Sequence, residues 1–501
     1  MSSSPLTLNL DVLDVILSFA NPYDALQFSM TCRDGHKLAM PHFLEEVEFP
    51  LPWLCLRGAK RSALADPELF EGFRAYMLDS PHASHRLRKL KALQLGEEAF
   101  CVEWGERDRG TVPPTDTFTL AEPLADVIRG AVELRRISIH YSEAIFDDVP
   151  QLIDAIASLP RLQEVCFYGA DVSTLGLLSR MQSRLRRVEL RIIEYNDQET
   201  RERWWGDYAF GNDRFLHNFT ESLQVLSLHG GLDIIEELEP HTVWRAVREL
   251  KLVRGNPVNL QAMARAFPNL RRLHTEPGPS AVEPAIHQWR KLDTVWAAHP
   301  LPLQHPVRHL IMHWTLQAYR YLAPPFNQAL AGGTIAMLQH TLPVVLECSA
   351  DKNTYACIAH HAPSVRCMRI TVVPSERQHG HDWNLTDEEA KNVLIDEFSL
   401  LRALPLKGIA IVLQGHGPWG KASNWKQYSC IIGACIPSLE YIGLRTQTGA
   451  WFSHDDWDAP EPYQWYQVTG RPEHSEVVVE SLSADEGVRV CSTLFSMSRG
   501  E

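Results

Sequence analysis

The chain has 501 residues, of which 45% are hydrophobic and 22% charged, as in an ordinary globular protein. Its formal net charge of −14 argues against nucleic acid as the main partner, because contacts to phosphate need a basic surface. No apolar run approaches the ~20 residues of a membrane-spanning helix, so no membrane partner is expected. The ten cysteines include no C-x-x-C pair, which predicts reduced, mostly buried thiols in a cytoplasmic or nuclear protein.

Residues 8 to 44 are predicted to form three short helices. Asn9 is a suitable N-cap for the first helix, and Asn21 is one for the second, with Pro22 in its first helical position. The third helix is expected over residues 31 to 39 and to end before Pro41. Three short helices within ~45 residues make a marginal core by themselves, so such a unit normally completes its burial against a partner.

This region resembles the F-box. The matching segments are Leu8-Asn-Leu-Asp-Val-Leu-Asp-Val-Ile-Leu-Ser-Phe19, Asn21-Pro-Tyr-Asp-Ala-Leu26 and Ser29-Met-Thr-Cys-Arg33, although Asn9 and Ala20 stand where the family usually has Pro and Leu. The resemblance implies docking onto the Skp adaptor of a cullin-based ubiquitin ligase. The residues that it assigns to this contact are Leu8, Asp11, Val12, Ile16, Leu17, Phe19, Pro22, Leu26, Phe28 and Cys32. The alternative is a helical cap on the repeats that follow.

Residues 46 to 86 are expected to be a helical connector, with a helix over residues 67 to 78. From there the pattern L-x-x-L-x-L recurs, with apolar residues allowed in its fixed places. It begins at Leu90, Leu134, Leu162, Leu185, Leu223, Val247, Leu270, Leu292, Val307, Val365, Leu406 and Leu439. The intervals of 28, 23, 24, 23 and 22 residues among these starts are typical of leucine-rich repeats. We therefore predict an α/β fold, a curved solenoid over residues 87 to 449 with parallel strands on its concave side and helices outside.

The repeats are expected to become irregular after about residue 313. The step from Leu292 to Val307 is only 15 residues, which leaves room for little helix. Residues 450 to 501 are predicted to form a C-terminal cap, with a strand over residues 477 to 480 and a frayed, serine-rich end.

Two patterns come closest to a catalytic or metal site. Residues 415 to 421 match G-x-x-x-x-G-K, but Ala422 stands where a phosphate-binding loop needs Ser or Thr, so the segment is interpreted as a turn. His360 and His361, with the histidines and aspartate at 379 to 382, lack the spacing of a zinc module. We predict no enzyme activity, no metal and no cofactor.

The third and fifth places of each repeat point away from the core. The candidate substrate-binding residues on this face are Arg136, Arg187, Glu189, Lys251, Arg272, His274 and Trp296. A face that carries both signs of charge suits a protein partner better than a phosphate backbone.

An F-box region followed by these repeats resembles the F-box/leucine-rich-repeat proteins that are abundant in fungi. The resemblance implies a substrate receptor, which binds the Skp adaptor, and through it a cullin, by its first helices and an unknown protein substrate by its repeats. The main alternative is a leucine-rich-repeat scaffold or signalling binder with no ubiquitin role. A nucleotide-dependent enzyme built around residues 415 to 421 is a third hypothesis.

Overall fold

The structure is a computed structural model of the whole chain. The residues that it describes are 9–49, 67–79, 81–100, 115–192, 213–230, 241–254, 259–278, 289–314, 316, 324–349, 351–372, 386–414, 421–447, 463–471 and 477–499. The chain divides into two compact units, unit 1 (Met1–Gly255) and unit 2 (Asn256–Glu501), which are described separately.

Each unit combines a β-sheet with helices. The described strands of unit 1 are β1 (Glu46–Phe49), β2 (Ala92–Leu95), β3 (Arg136–Ile139), β4 (Glu164–Ala170), β5 (Arg187–Ile192), β6 (Val225–His229) and β7 (Glu249–Val253). Those of unit 2 are β8 (Arg272–Thr275), β9 (Thr294–Ala297), β10 (His309–Met312), β11 (Val345–Ser349), β12 (Cys367–Val372), β13 (Gly408–Gln414), β14 (Tyr441–Gln447), β15 (Gln464–Gly470) and β16 (Val478–Ser481).

The helices lie between the strands in sequence. The described α-helices of unit 1 are α1 (Leu10–Phe19), α2 (Pro22–Ser29), α3 (Arg33–Phe43), α4 (Pro67–Leu78), α5 (Ala83–Lys89), α6 (Glu122–Gly130), α7 (Ser142–Asp148), α8 (Pro150–Ala157) and α9 (Val172–Arg180). Those of unit 2 are α10 (Leu260–Ala266), α11 (Pro324–Thr341), α12 (Lys352–His361), α13 (Asp387–Phe398), α14 (Ala422–Cys435) and α15 (Ala484–Ser496). Short 3₁₀ helices cover Glu97–Phe100, Thr115–Ala121, Asp213–Phe219 and Ser399–Leu401.

The strands are paired in chain order within each unit. In unit 1 all the described pairs from β1 to β7 are parallel. In unit 2 the strands from β8 to β14 are parallel, and β15 and β16 then join in antiparallel orientation. The prediction of an α/β fold with parallel strands is therefore confirmed.

The repeat pattern explains which side of each sheet is buried. Val165, Val188, Leu226 and Leu250 occupy the fourth place of four successive repeats, are aligned across β4 to β7, and are at most 1% exposed. Helices cover this side, as the edge-to-face contact between the Phe146 ring of α7 and a ring of β4 shows. We call the opposite side the odd-position face, because it carries the third, fifth and seventh residues of each repeat.

Local signals set the boundaries of the first helices. The side chain of Asn9 accepts the backbone N–H of Asp11, and that of Asn21 accepts the N–H of Asp24, so both predicted caps are confirmed. The third helix differs from the expectation, because α3 continues through Pro41 to Phe43. Proline costs the helix one hydrogen bond, and the continued turn buries Phe43, a favourable contribution that opposes this cost.

The end of the chain also differs from the expectation. Instead of a frayed tail, residues 484 to 496 form the 13-residue helix α15, which begins at a capping box made by Ser483 and Glu486. The predicted strand before it is confirmed as β16. The short step between β9 and β10 contains no helix, as predicted. In the part of the chain described, no helix is long and apolar enough to cross a bilayer.

Candidate protein-docking surfaces

The outer side of α1 is an exposed apolar stripe. Its residues and their exposed fractions are Val12 47%, Val15 57%, Ile16 52% and Phe19 87%. They recur at helical spacing, which places them along one side of the helix. We call these four residues the α1 stripe; Leu10, which is 54% exposed, begins the helix on a different side. Exposed apolar groups clustered on one side of a short helix make that side a candidate docking surface.

The inner side of α1 packs against the rest of unit 1. Leu13 and Leu17 are 6% and 5% exposed, four residues apart on the side opposite to the stripe. His42 Nε2 of α3 lies 2.8 Å from Asp14 Oδ1, which ties α1 to α3. Because α1 has its own internal contacts, the stripe is held in place without any partner.

The structure separates the residues that the resemblance assigned to the adaptor contact. Asp11, Val12, Ile16 and Phe19 are exposed, whereas Leu26, Phe28 and Cys32 are partly buried. Cys32 is occupied as the N-cap of α3, where its Sγ accepts the N–H of Gly35. Leu17 faces inward, so it supports α1 rather than lying on its open side. Leu8 and the side chain of Pro22 lie outside the described residues.

Sequence reasoning missed three members of the exposed apolar set, which are Leu10, Val15 and Met30. The signal for Val15 was present, because Val12, Val15, Ile16 and Phe19 follow the spacing of one helix face. That spacing was obscured by Leu13 and Leu17, which make α1 apolar on both sides.

On the odd-position face of unit 1 the structure aligns charges of both signs. The third-place residues of β3 to β7 lie in one row, which reads Arg136, Glu164, Arg187, Val225 and Glu249. Arg136 also forms an ion pair with Glu46 of β1. The predicted residues Arg136 and Arg187 are exposed, and Lys251 is partly exposed.

A second row on the same face was not predicted. It holds the seventh-place residues His140, Tyr168, Arg191 and His229. The His140 and Tyr168 rings stack with their centroids 4.0 Å apart, and the Arg191 guanidinium carbon lies 4.4 Å from the Tyr168 centroid. The predicted Glu189 lies 3.6 Å from Arg191 Nη2 and 3.8 Å from His229 Nε2. Extending the period of two by one step beyond the fifth place would have found this row.

The predicted residues of unit 2 are arranged differently. Arg272 is exposed, and the His274 ring stacks on the Trp296 ring with 3.8 Å between centroids. Trp296 is itself only 5% exposed. The His313 ring, which follows β10, stacks on Trp296 with 5.2 Å between the ring centroids. Trp296 therefore serves as a packed element of the odd-position face and not as an open contact residue.

The odd-position face of β10 to β13 is covered by the chain's own C-terminal segment, which we define as residues 463–471 and 477–499. Arg308 donates a 2.6 Å hydrogen bond to the Phe495 carbonyl, and Arg499 donates one of 2.6 Å to the Thr341 carbonyl. Leu494 packs onto Gly408 of β13. This half of the face is thus filled from within unit 2.

Three ionisable residues are enclosed under that cover. Glu347 is 2% exposed, its Oε1 lies 2.7 Å from His309 Nε2, and its Oε2 accepts a 3.1 Å hydrogen bond from Arg369 Nη1. Burial raises the pKa of the Glu347 carboxyl, but Arg369 and His309 outweigh it and hold that pKa below its usual value. Burial lowers the pKa of Arg369, but the neighbouring Glu347 carboxylate outweighs burial and raises that pKa above its usual value, so both members of the pair are charged.

No metal or thiol chemistry emerges in the described part of the chain. It contains no cluster of three His, Cys, Asp or Glu side chains that could hold a metal ion. Burial raises the pKa of the Cys166 thiol to about 12, which disfavours a thiolate nucleophile. Of the G-x-x-x-x-G-K segment, Lys421 is described, as the exposed N-cap of α14, whereas residues 415–420 lie outside the described residues. The histidines and aspartate at 379 to 382 also lie outside them.

Comparison with known proteins found no match. No family model and no curated protein matches this chain.

Proposed function

We propose that the chain is the substrate-recognition subunit of a cullin-based ubiquitin ligase. In this proposal α1 to α3 form an F-box that binds the Skp adaptor, and the strand–helix repeats form a curved leucine-rich-repeat solenoid that binds a target protein. The observation that carries the proposal is the α1 stripe, four large apolar side chains exposed on a helix whose other side is already packed.

The stripe supplies a suitable driving force for docking. Fully burying one large apolar side chain contributes about 1.5–3 kcal/mol, so a few of them account for a stable complex. Phe19 is the most exposed member at 87%, and a protruding aromatic side chain is the usual anchor of an interface. The F-box resemblance of residues 8 to 33 is what assigns the adaptor as the occupant.

The repeats support the second half of the proposal. Within each unit the parallel strands follow one another in chain order, and described α-helices lie between most successive strands. Repeats of this kind bury their apolar sides against their neighbours and stack into solenoids. In unit 1 the odd-position face carries rows of mixed charge, which suit a protein partner.

The mechanism in this proposal is proximity. The receptor holds the target so that a lysine lies near a ubiquitin-charged enzyme carried by the cullin, which converts a bimolecular encounter into an effectively intramolecular one. Orientation and affinity are then the receptor's contributions, and no side chain of this chain reacts.

The test is retention of the purified full-length chain by immobilised Skp adaptor. We compare the wild type with Ile16→Asp/Phe19→Asp, which places two carboxylates in the stripe, and with Val488→Asp as the matched control. Val488 is an apolar residue of α15 that is 68% exposed, so its replacement adds a charge outside the stripe. We expect the wild type and control to be retained, and the double variant to bind at least about 100-fold more weakly.

Circular dichroism confirms that each variant is folded. A wild-type chain that is folded but not retained contradicts the receptor proposal and leaves the repeat scaffold or signalling binder as the function. If the adaptor is retained, adding the cullin shows whether the complete ligase assembles.

A further inference from the structure

A row of polar residues lies along the amino ends of the parallel strands of unit 1. Each member is the second residue of its repeat and directly precedes one of the strands β2 to β7. We call it the second-place row, and its members are Lys91, Arg135, Gln163, Arg186, Gln224 and Arg248. Arginine and glutamine alternate along its last five members. Glu45, which directly precedes β1, lies beside Lys91 at one end of the row, so the charge of the row itself comes from its three arginines.

The backbone fixes the spacing of this row. The N–H of Arg135 donates to the Lys91 carbonyl over 2.7 Å, and each later member donates in the same way to the member before it, over 2.7 or 2.8 Å. Each step along the row is therefore the distance between neighbouring strands, about 4.8 Å. Arg135, Arg186 and Arg248 stand on alternate strands, so their backbones are about 10 Å apart.

The side chains of the row are open and without anionic partners. Arg135, Arg186 and Arg248 are all exposed. Arg248 Nη1 donates to the carbonyls of Arg245 and Val247, whereas the side chains of Arg135 and Arg186 make no hydrogen bond or ion pair within the described residues. The side-chain amides of Gln163 and Gln224 are also without a hydrogen bond in this part of the chain.

This arrangement departs from the charge pattern around it. The whole chain has 62 acidic and 48 basic residues, so an exposed arginine has more carboxylates than cations available to pair with. Two arginines near the row do pair, Arg136 with Glu46 and Arg161 with Glu133. The three arginines of the second-place row are not matched in this way, and an unmatched row of one sign favours a partner of the opposite sign.

The spacing of the row selects the kind of anion. A guanidinium binds a carboxylate through two parallel hydrogen bonds, and a glutamine amide can both donate to and accept from a peptide backbone. In a polyproline II segment every third residue lies on the same side, about 9 Å further along, which is close to the spacing of the arginines. Three cations on a chain of net charge −14 make a short basic surface for a nucleic acid.

We infer that the second-place row docks an extended acidic segment of another protein, in which a carboxylate at every third residue meets Arg135, Arg186 and Arg248 in turn. The two glutamines between the arginines bind the backbone of that segment. The inference goes beyond the proposed function and does not depend on it, because the row includes no residue of the α1 stripe.

The experiment measures fluorescence polarisation of labelled peptides with the full-length chain at about 0.1 M salt. The probe has about 12 residues and repeats Glu-Pro-Ser, which favours polyproline II and places a carboxylate at every third position. A Gln-Pro-Ser repeat is the uncharged control, and a peptide of the same composition as the probe with its glutamates in succession tests the spacing.

We expect saturable binding of the probe with a Kd of about 30–300 µM, since exposed ion pairs are individually weak. Raising the salt to about 0.5 M should weaken this binding about tenfold, because the charges are screened. The peptide with successive glutamates should bind at least about threefold more weakly than the probe, and the uncharged control should not saturate.

Variants connect the binding to the row. Arg135→Gln/Arg186→Gln/Arg248→Gln removes its three arginines, and we expect at least about tenfold weaker binding. The matched control Arg290→Gln/Arg402→Gln/Lys426→Gln removes the same charge from exposed positions of unit 2 and should leave the Kd within about twofold. Arg186→Lys keeps the charge but loses the planar fork, so it should bind about threefold more weakly.

Several results would overturn this inference. They are no saturable binding of the probe up to about 1 mM, equal binding by either control peptide, or an unchanged Kd in the folded triple arginine variant. Tighter binding of an oligouridylate of about 12 nucleotides than of the probe would assign the row to nucleic acid and overturn it as well. Circular dichroism reports folding, and if the triple variant does not fold, Arg186→Gln decides, because it changes one exposed side chain.

Discussion

Leu494 of α15 occupies the space that a side chain on Gly408 of β13 would fill. A Cβ built at Gly408 would meet Cδ1, Cδ2 and Cγ of Leu494, all closer than van der Waals contact allows or at its limit. Leu494 is 1% exposed and belongs to a buried cluster with Val345, Cys367 and Trp465. The absence of a side chain on β13 is thus what lets the C-terminal helix approach the sheet.

The first prediction concerns this contact. Gly408→Ala should destabilise the protein by about 1–3 kcal/mol, because a buried leucine has no room to move away from the added methyl group. Urea unfolding measures the change. In Gly408→Ala/Leu494→Ala the clash is removed, so the double variant should cost less than the sum of its two single changes. Strict additivity would show that the two residues are not in contact.

The second prediction concerns the Glu347–Arg369 pair. Arg369→Met leaves the Glu347 carboxylate, which is 3% exposed, without its strongest partner, and should cost about 3–5 kcal/mol of unfolding free energy. Adding Glu347→Gln should recover most of that loss, since no buried charge then remains. Thermal and urea unfolding of the two variants, side by side, provide the measurement; equal losses in both would contradict the prediction.

The third prediction concerns pH. Burial, reinforced by Asp351 and Asp396 and opposed by Lys352, raises the pKa of Glu397 from 4.5 to about 7. A raised carboxyl pKa means that the folded state binds the proton more tightly, so this contribution is complete below about pH 4.5 and is lost as the pH rises through 7. Glu397→Gln should therefore raise stability by about 1–3 kcal/mol at pH 8 and change little at pH 4.5. Urea midpoints at the two pH values test this; a gain of equal size at both would contradict it.

The fourth prediction separates the two sides of α1. Phe19→Ser should change the unfolding free energy by less than about 0.5 kcal/mol, because its side chain is already 87% exposed. Leu17→Ala should cost about 2–4 kcal/mol, because it removes a buried side chain. Hydrogen exchange of residues 10 to 43 reports the local effect. Similar costs for both changes would mean that the stripe is packed rather than open.

The strands were the most predictable part of the fold, because buried apolar residues alternate with other residues along each strand, as Val165 and Phe167 do in β4. Helix α15 was missed because Gly487 and the β-branched residues around it give a weak helical pattern. A Cβ on Gly487 would come within 2.8 Å of Trp465, so this glycine reflects a contact made in the folded chain, which no local pattern reveals. The Ser483–Glu486 capping box was the available signal.

The candidate site was predictable only in part for a related reason. Helix α1 is apolar on two sides, and the sequence does not specify whether Leu17 or Ile16 faces inward until α3 is placed against it. The contacts of Glu347 with His309 and Arg369 were not predictable, because the three residues come from strands more than 20 positions apart and are enclosed only when the C-terminal segment covers them. The spacing of apolar residues identifies which side chains lie on each side of a strand. Whether those side chains are open or covered depends on residues that are distant in the sequence.

The antiparallel strands β15 and β16 have a consequence for how such a chain could change in length. A further strand–helix repeat needs a parallel neighbour at the end of the array, and the reversal after β14 places an antiparallel strand there instead. A duplicated repeat could be accommodated only before Tyr441, and one inserted between β10 and β13 would require α15 to span an additional strand. The length of the C-terminal segment therefore restricts how many strands can lie in this part of the sheet.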